Sequence, residues 1–331
     1  MRFDGFAGNR QAKELLSAFV DGGRLPHTLL LEGPAGSGRR TLARLIARAA
    51  VCTGEGEKPC GRCPACIKAA GGNHPDILET GGEGAARSFH IETVREIRDT
   101  VYILPNEAPR RVIILAGAQG MTEQAQNALL KILEEPPAHA LFILTCENRA
   151  QLLPTIQSRA VCIPLGPVPP EEAAEAVCRL RPDADPAAVR QAVAVFGGLI
   201  GQAVQGLSDG AFQKVMELSP AFAEAVAAPD ELALLRLTGA LEKDKGLADG
   251  VLGALGLIFR DAVALRFGAA EAGRLSAAPQ AAEKLSRTLT RGQLLALIRA
   301  VEGLQADRRR NINYTLFLTL LCSRLRAAAG R

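Results

Sequence analysis

Gly33-Pro34-Ala35-Gly36-Ser37-Gly38-Arg39-Arg40-Thr41 is the stretch that decides the fold. It follows a short apolar run, residues 28–31, that reads as a buried strand. It opens residues 39–51, where Leu42, Ile46 and Ala50 recur at helical spacing. A strand, a Gly-rich turn and a helix N-terminus together form an anion cradle. Glycines let backbone N–H groups approach phosphate oxygens, and the helix dipole favours negative charge. The phosphate-loop pattern is G-x-x-x-x-G-K-[ST]. Gly33 and Gly38 fit it, with Gly36 between them. The lysine position holds Arg39, the Ser/Thr position holds Arg40, and Thr41 comes one residue late. The cradle is legible, but two of its chemical parts are replaced.

A chain of 331 residues has room for two or three domains. Its 48% hydrophobic and 22% charged content suits a folded chain rather than a disordered one. With no tryptophan and two tyrosines, an aromatic base-stacking platform is not expected. A net charge of +4 permits nucleic-acid contact without requiring it. No apolar run approaches the ~18 residues of a membrane span, and Met1-Arg2-Phe3-Asp4 lacks the apolar core of a signal peptide. The expectation is a cytoplasmic protein whose eight cysteines are thiols or metal ligands, not disulfides.

Four of those cysteines cluster: Cys52, then Cys60-Gly61-Arg62-Cys63-Pro64-Ala65-Cys66. Two overlapping C-x-x-C steps and one upstream cysteine supply four soft ligands. Tetrahedral zinc takes four thiolates, and C-x-x-C turns present paired sulfurs at that bite. A redox dithiol and a chance grouping are the alternatives. Four protein ligands would leave no position open for substrate, so the expected site is structural. Cys146, Cys162, Cys178 and Cys322 lie among apolar neighbours and are expected in the core.

Elsewhere, Arg40, Arg44 and Arg48 form a basic stripe on the helix after the loop, either a solvated face or a polyanion contact. Residues 91–102 have helical periodicity, with Arg95 and Arg98 on the polar face. Val112-Ile113-Ile114-Leu115 suits a central parallel strand. In a phosphate-loop ATPase the tip of such a strand carries an Asp for magnesium and often a Glu that primes water. Here it is Ala116-Gly117, which can hold neither metal nor proton. Residues 124–135 form a helix stopped by Pro136-Pro137. Residues 141–144 and 161–164 are further strands, with Ser158-Arg159 before the second. Strand–helix alternation to residue 165 predicts a doubly wound parallel α/β domain with an inserted zinc knuckle. Helices alone follow: a small lid at 166–207 and an all-α domain at 208–331. In that domain residues 291–328 carry helical patterning, with the charge cluster Asp307-Arg308-Arg309-Arg310 before an apolar helix over 312–325.

These parts in this order resemble the subunits of the bacterial DNA polymerase III clamp loader, of the AAA+ family. The resemblance is carried by the Gly33–Thr41 loop, the Cys52/Cys60/Cys63/Cys66 knuckle and His74-Pro75-Asp76. It continues through Asn127-Ala128-Leu129-Leu130-Lys131-Ile132-Leu133-Glu134-Glu135-Pro136-Pro137 and Ser158-Arg159, then more weakly through Phe259-Arg260-Asp261 and Asn311-Ile312-Asn313. In that family some subunits hydrolyse ATP and the delta-prime branch does not. Arg39 for lysine, Ala116 for the metal Asp, Gly117 for the priming Glu and Gly201 for a lid arginine match the delta-prime branch. The family's Ser-Arg-Cys appears as Ser158-Arg159-Ala160, arginine kept and cysteine lost. The resemblance implies a stator. Arg159 would act in trans as an arginine finger on a neighbour's nucleotide. The alternative is a residue that pairs with an acidic neighbour at a strand start. It also implies partners: gamma/tau motor subunits, a delta subunit, the sliding clamp and primed DNA, with Arg95 and Arg98 facing the DNA chamber in a nucleoid-associated replisome. Structural Zn2+ is the implied cofactor, with passive ATP or ADP binding left open. An ATPase of gamma/tau type using Arg39, and a stand-alone zinc-knuckle nucleic-acid binder, are the competing readings.

Overall fold

The computed structural model describes residues 1–81, 91–242, 244–268, 275–309 and 313–331. Of the residues carrying the resemblance, Asn311 and Ile312 lie outside them. Met1–Pro167 forms one unit and Val168–Arg331 another. The first runs α1 (Arg10–Asp21), β1 (Thr28–Glu32), α2 (Arg39–Val51), α3 (Pro64–Ala70), β2 (Ile77–Gly81), α4 (Ile91–Val101), β3 (Arg111–Ala116), α5 (Glu123–Glu134), β4 (Ala140–Cys146), α6 (Pro154–Gln157) and β5 (Val161–Pro164). The five strands are parallel, in the order β2-β3-β4-β1-β5.

Successive strand side chains point to opposite faces, and here both faces are apolar. Leu29, Leu31, Val112, Ile114, Leu141 and Ile143 enter one layer, with Leu16 of α1 and Leu42 and Ile46 of α2. Leu30, Ile113, Leu115, Phe142 and Leu144 enter the other, with Val94 and Ile97 of α4 and Leu129 and Ile132 of α5. All seven residues of β4 are buried. This is the doubly wound α/β arrangement read from the sequence. Helix starts follow local chemistry: Thr122 caps α5 by accepting from Ala125 N–H at 3.2 Å.

The second unit is helical among its described residues: α7 (Pro170–Leu180), α8 (Pro186–Val195), α9 (Ile200–Asp209), α10 (Ala211–Ala227), α11 (Glu231–Gly239), α12 (Lys245–Arg266), α13 (Pro279–Thr288), α14 (Arg291–Arg309) and α15 (Tyr314–Ala328). α12 is its axis. At Gly253 a Cβ would lie 1.9 Å from the Val195 carbonyl oxygen, so only glycine lets α12 pass the end of α8 this closely. Residues 291–328 hold two helices, and the second, α15, lies close to the apolar helix expected over 312–325. Asn313 starts α15, its side chain accepting from Leu316 N–H at 3.2 Å. An Asn inside an apolar pattern acted as a cap, which helical periodicity alone does not register. Cys146 and Cys322 are buried as expected for core residues, whereas Cys162 and Cys178 are only half-buried.

His74-Pro75-Asp76 serves as an anchor. Asp76 is 1% exposed. Its carboxylate accepts N–H bonds from Asn106 at 2.6 Å and from Glu107 and Ala108 at 2.9 Å, while His74 Nδ1 accepts Asp76 N–H at 3.1 Å. Asp76 thereby fixes the loop that leads into β3. Burial alone would raise its pKa, but the three amides outweigh it and hold the carboxyl below the ordinary range. A depressed folded-state pKa stabilises above the ordinary value of about 3.9, and that stabilisation is lost as pH falls through the folded value. Asp76→Ala should cost about 3 kcal/mol in chemical denaturation at neutral pH, by stranding three amides. The difference from the parent should shrink below about pH 4.

Candidate functional site

The loop between β1 and α2 has cradle geometry. Gly33 and Gly38 are there for space and backbone. A Cβ on Gly33 would lie 2.4 Å from the Leu165 carbonyl oxygen. Gly38 has φ +87°, and its Cβ would lie 2.9 Å from the Phe6 ring. Gly36 also has a positive φ, +80°. Two amides of the loop are already used: Gly33 N–H donates to Cys146 at 3.1 Å, and Ser37 N–H to Pro34 at 3.1 Å.

The arginines that replace the missing parts meet carboxylates of the same chain. Arg39, at the lysine position, is buried, with Nη2 3.6 Å from Glu147 Oε1. Arg40, at the Ser/Thr position, hydrogen-bonds Glu79 on β2, and Arg44 Nε reaches the other oxygen of Glu79 at 2.7 Å. Burial would push Glu79 up, but Arg44 and Arg40 together hold it below the ordinary carboxylate range. Arg48 reaches the Gly61 carbonyl at 3.5 Å. The basic stripe is therefore neither a fully solvated face nor open to a polyanion along its length. It ties α2 to the edge strand and to the cysteine segment. Thr41 is exposed.

At the tip of β3, Ala116 is buried and Gly117 N–H donates to Thr145 Oγ1 at 2.9 Å. Neither offers a side-chain ligand. Burial, with the Glu32 carboxylate nearby, pushes the Cys146 thiol up to about 12 and Cys162 up as well, so neither is a ready nucleophile.

Arg159 sits between α6 and β5. Its Nη1 donates to the Thr155 carbonyl at 2.9 Å and to Ser158 Oγ at 3.3 Å, and Nη2 donates to Glu134 Oε1 at 2.6 Å. Its side chain is 33% exposed and that of Glu134 49%. Arg95 and Arg98 are exposed on α4, and Arg98 Nε lies 3.3 Å from Asp99.

The four knuckle sulfurs, Cys52, Cys60, Cys63 and Cys66, all lie within 4.8 Å of one another. Cys52–Cys63 and Cys60–Cys66 are each 4.0 Å apart. Tetrahedral zinc with bonds of ~2.3 Å needs sulfur separations of about 3.8 Å, so the set fits the ion. Backbone N–H groups already point at sulfur: Cys60 to Cys52 at 3.3 Å, Cys63 to Cys60 and Cys66 to Cys63 at 3.4 Å. Burial would push Cys63 up, yet the amides of Cys66 and Thr53 hold it down to about 5, whereas burial takes Cys66 up to about 12. The cluster can hold a metal such as zinc. Of the partners of the key arginines, Glu79 and Glu147 carried no sequence signal, and Glu134 stood in the Asn127–Pro137 motif with nothing there to pair it with Arg159. Glu79 is 39 residues from Arg40 and Glu134 is 25 from Arg159.

Residues 8–169 match the family described as "DNA polymerase III, delta subunit". A DNA polymerase III subunit gamma/tau of Mycobacterium tuberculosis is 37% identical over 164 residues, 49% of this chain and 28% of that one. DNA polymerase III subunit delta' of Pseudomonas aeruginosa is 36% identical over 188 residues, 54% of this chain and 55% of that one. The Bacillus subtilis delta' is 33% identical over 159 residues, 48% and 47%. The chain thus spans about half or less of the length of these relatives. A solved gamma-subunit-related protein of Thermotoga maritima overlaps at a TM-score of 0.40 and 20% identity, covering 95% of this chain and 99% of that one, a likeness too low to carry weight. Over residues 8–169 this chain is thus similar to the delta' and gamma/tau subunits of the DNA polymerase III clamp loader.

Proposed function

We propose that the chain is a stator subunit of a DNA polymerase III clamp loader. It hydrolyses no ATP itself and lends Arg159 as an arginine finger to a neighbouring gamma/tau-type motor subunit. One observation carries the reading. Every catalytic position of the chain's own nucleotide site is altered or occupied, while Arg159 lies partly exposed on a loop outside that site. Arg39 meets Glu147, Arg40 meets Glu79, and Ala116-Gly117 ends β3 without a carboxylate. A finger acts across an interface, so its own subunit needs no working site.

The rest of the reading follows the family. Residues 166–207 serve as a lid and 208–331 as an oligomerisation collar. Motor subunits, a delta subunit and the sliding clamp are partners, and primed DNA passes Arg95 and Arg98 in a cytoplasmic replisome. Zinc held by Cys52, Cys60, Cys63 and Cys66 closes the knuckle as a structural ion. The rival is a motor subunit of gamma/tau type. Arg39 could hold a phosphate in it, but nothing at 116–117 would hold magnesium.

In the reconstituted loader, Arg159→Ala and Arg159→Lys should assemble normally, melt like the parent and impair clamp- and DNA-stimulated ATPase. Lys lacks the planar fork that spans phosphate oxygens. At the site it serves a finger is worth about 10³–10⁵ in rate, and parental clamp loading by both variants would refute the finger. The isolated chain should stay at background hydrolysis even after Arg39→Lys with Arg40→Thr. Clear magnesium-dependent turnover by that double variant would favour the motor reading. Elemental analysis should find one zinc per chain. Cys63→Ser should loosen the knuckle while the sheet, with its own buried layers, stays folded by circular dichroism. A folded, metal-free parent would remove the zinc assignment.

A further inference from the structure

We infer that Glu134 is the resting counter-ion of Arg159, a positioning residue that restrains the finger until a neighbour's phosphate displaces the carboxylate. The inference rests on the finger reading and adds the residue that controls it.

Three observations meet here. First, the hydrogen bonds of Arg159 divide into two kinds. Nη1 is held by its own turn, through the Thr155 carbonyl and Ser158 Oγ at 2.9 and 3.3 Å. Nη2 alone reaches another element, at 2.6 Å from Glu134. The local pair orients the guanidinium, and the distant one neutralises it. Second, Glu134 is the last residue of α5. A carboxylate there opposes the helix dipole, so it does not serve the helix. Third, the pair is half-exposed, 33% and 49%, which keeps its net strength small.

A phosphate group carries more charge than a carboxylate and forks onto guanidinium equally well. When a neighbour presents one, the guanidinium exchanges partners while Thr155 and Ser158 keep it oriented. Glu134 beside that phosphate is a like charge and is left to solvent. The salt bridge therefore opposes engagement by a small amount and leaves an unassembled chain without a bare cation at this loop.

The test uses the full reconstituted loader at equal stoichiometry, without clamp or DNA. Glu134→Gln keeps shape and removes charge. It should raise kcat/KM for basal ATP hydrolysis by roughly 1.5- to 5-fold, the effect of releasing a partly exposed pair. Glu134→Asp, which keeps the charge but withdraws it by one methylene, should fall between. The gain should narrow as ionic strength rises, because the competing pair is screened, and it should vanish in an Arg159→Ala background. In a parallel arm with clamp and DNA added, Arg159→Ala alone should lower the stimulated rate. If Glu134→Gln leaves the basal rate unchanged or lowers it while Arg159→Ala still impairs, Glu134 is not a restraint and the inference fails with the finger intact. If Arg159→Ala runs at the parental rate, the finger reading fails and takes this inference with it.

Discussion

Burial of one sheet on both faces is the constraint on which the N-terminal unit depends. β4 has seven buried residues, and β1 sends Leu29 and Leu31 to one side and Leu30 to the other. A strand with no wet face must have helices on both sides, and parallel neighbours must be joined by crossovers. The loops after β1, β3 and β4 therefore gather at the carboxyl ends of the strands, where open α/β sheets place their ligands. Gly33–Gly38, Ala116-Gly117 and the segment leading to Arg159 all leave the sheet there. The hydrophobic pattern of these short strands thus fixes where chemistry could occur before any reactive residue is considered.

What those loops then hold is decided by electrostatics within the chain. A buried arginine at the lysine position meets Glu147. Arginines 40 and 44 share Glu79 so closely that its carboxyl is held below the ordinary range despite burial. A guanidinium is charged at any pH the protein meets and must find an acceptor when it leaves water. Substituting arginine for the phosphate-loop lysine and threonine therefore converts an anion cradle into part of an ion-pair frame. Arg159 meets the same requirement in a different way. Its guanidinium is not buried like that of Arg39, and its pair with Glu134 is open to solvent on both sides.

Much of this was legible in the sequence, for identifiable reasons. The alternation of apolar runs with helical periodicity gave the doubly wound sheet, and the cysteine spacing gave a sulfur set whose separations suit a tetrahedral ion. The signals failed where a partner lies far along the chain. Glu79 and Glu147 look like any surface acid in sequence, and Glu134, though part of the Asn127–Pro137 motif, gives no sign there of its pairing with Arg159. The charge cluster at 307–310 marked the approach to a second helix, but its start at the Asn313 cap is a local hydrogen bond that apolar spacing does not register. The Arg40–Arg44–Arg48 stripe was visible at i, i+4 and i+8, but its role as an internal tether emerges only from the fold.

The central claim is that this chain completes a neighbour's active site while hydrolysing nothing at its own. Rapid-quench measurement of the first turnover counts hydrolysed ATP per loader. The account predicts a burst no larger than the number of motor subunits, reduced by at least one site when Arg159 is replaced by alanine. A burst exceeding the motor count, or one unchanged by that replacement, would contradict it.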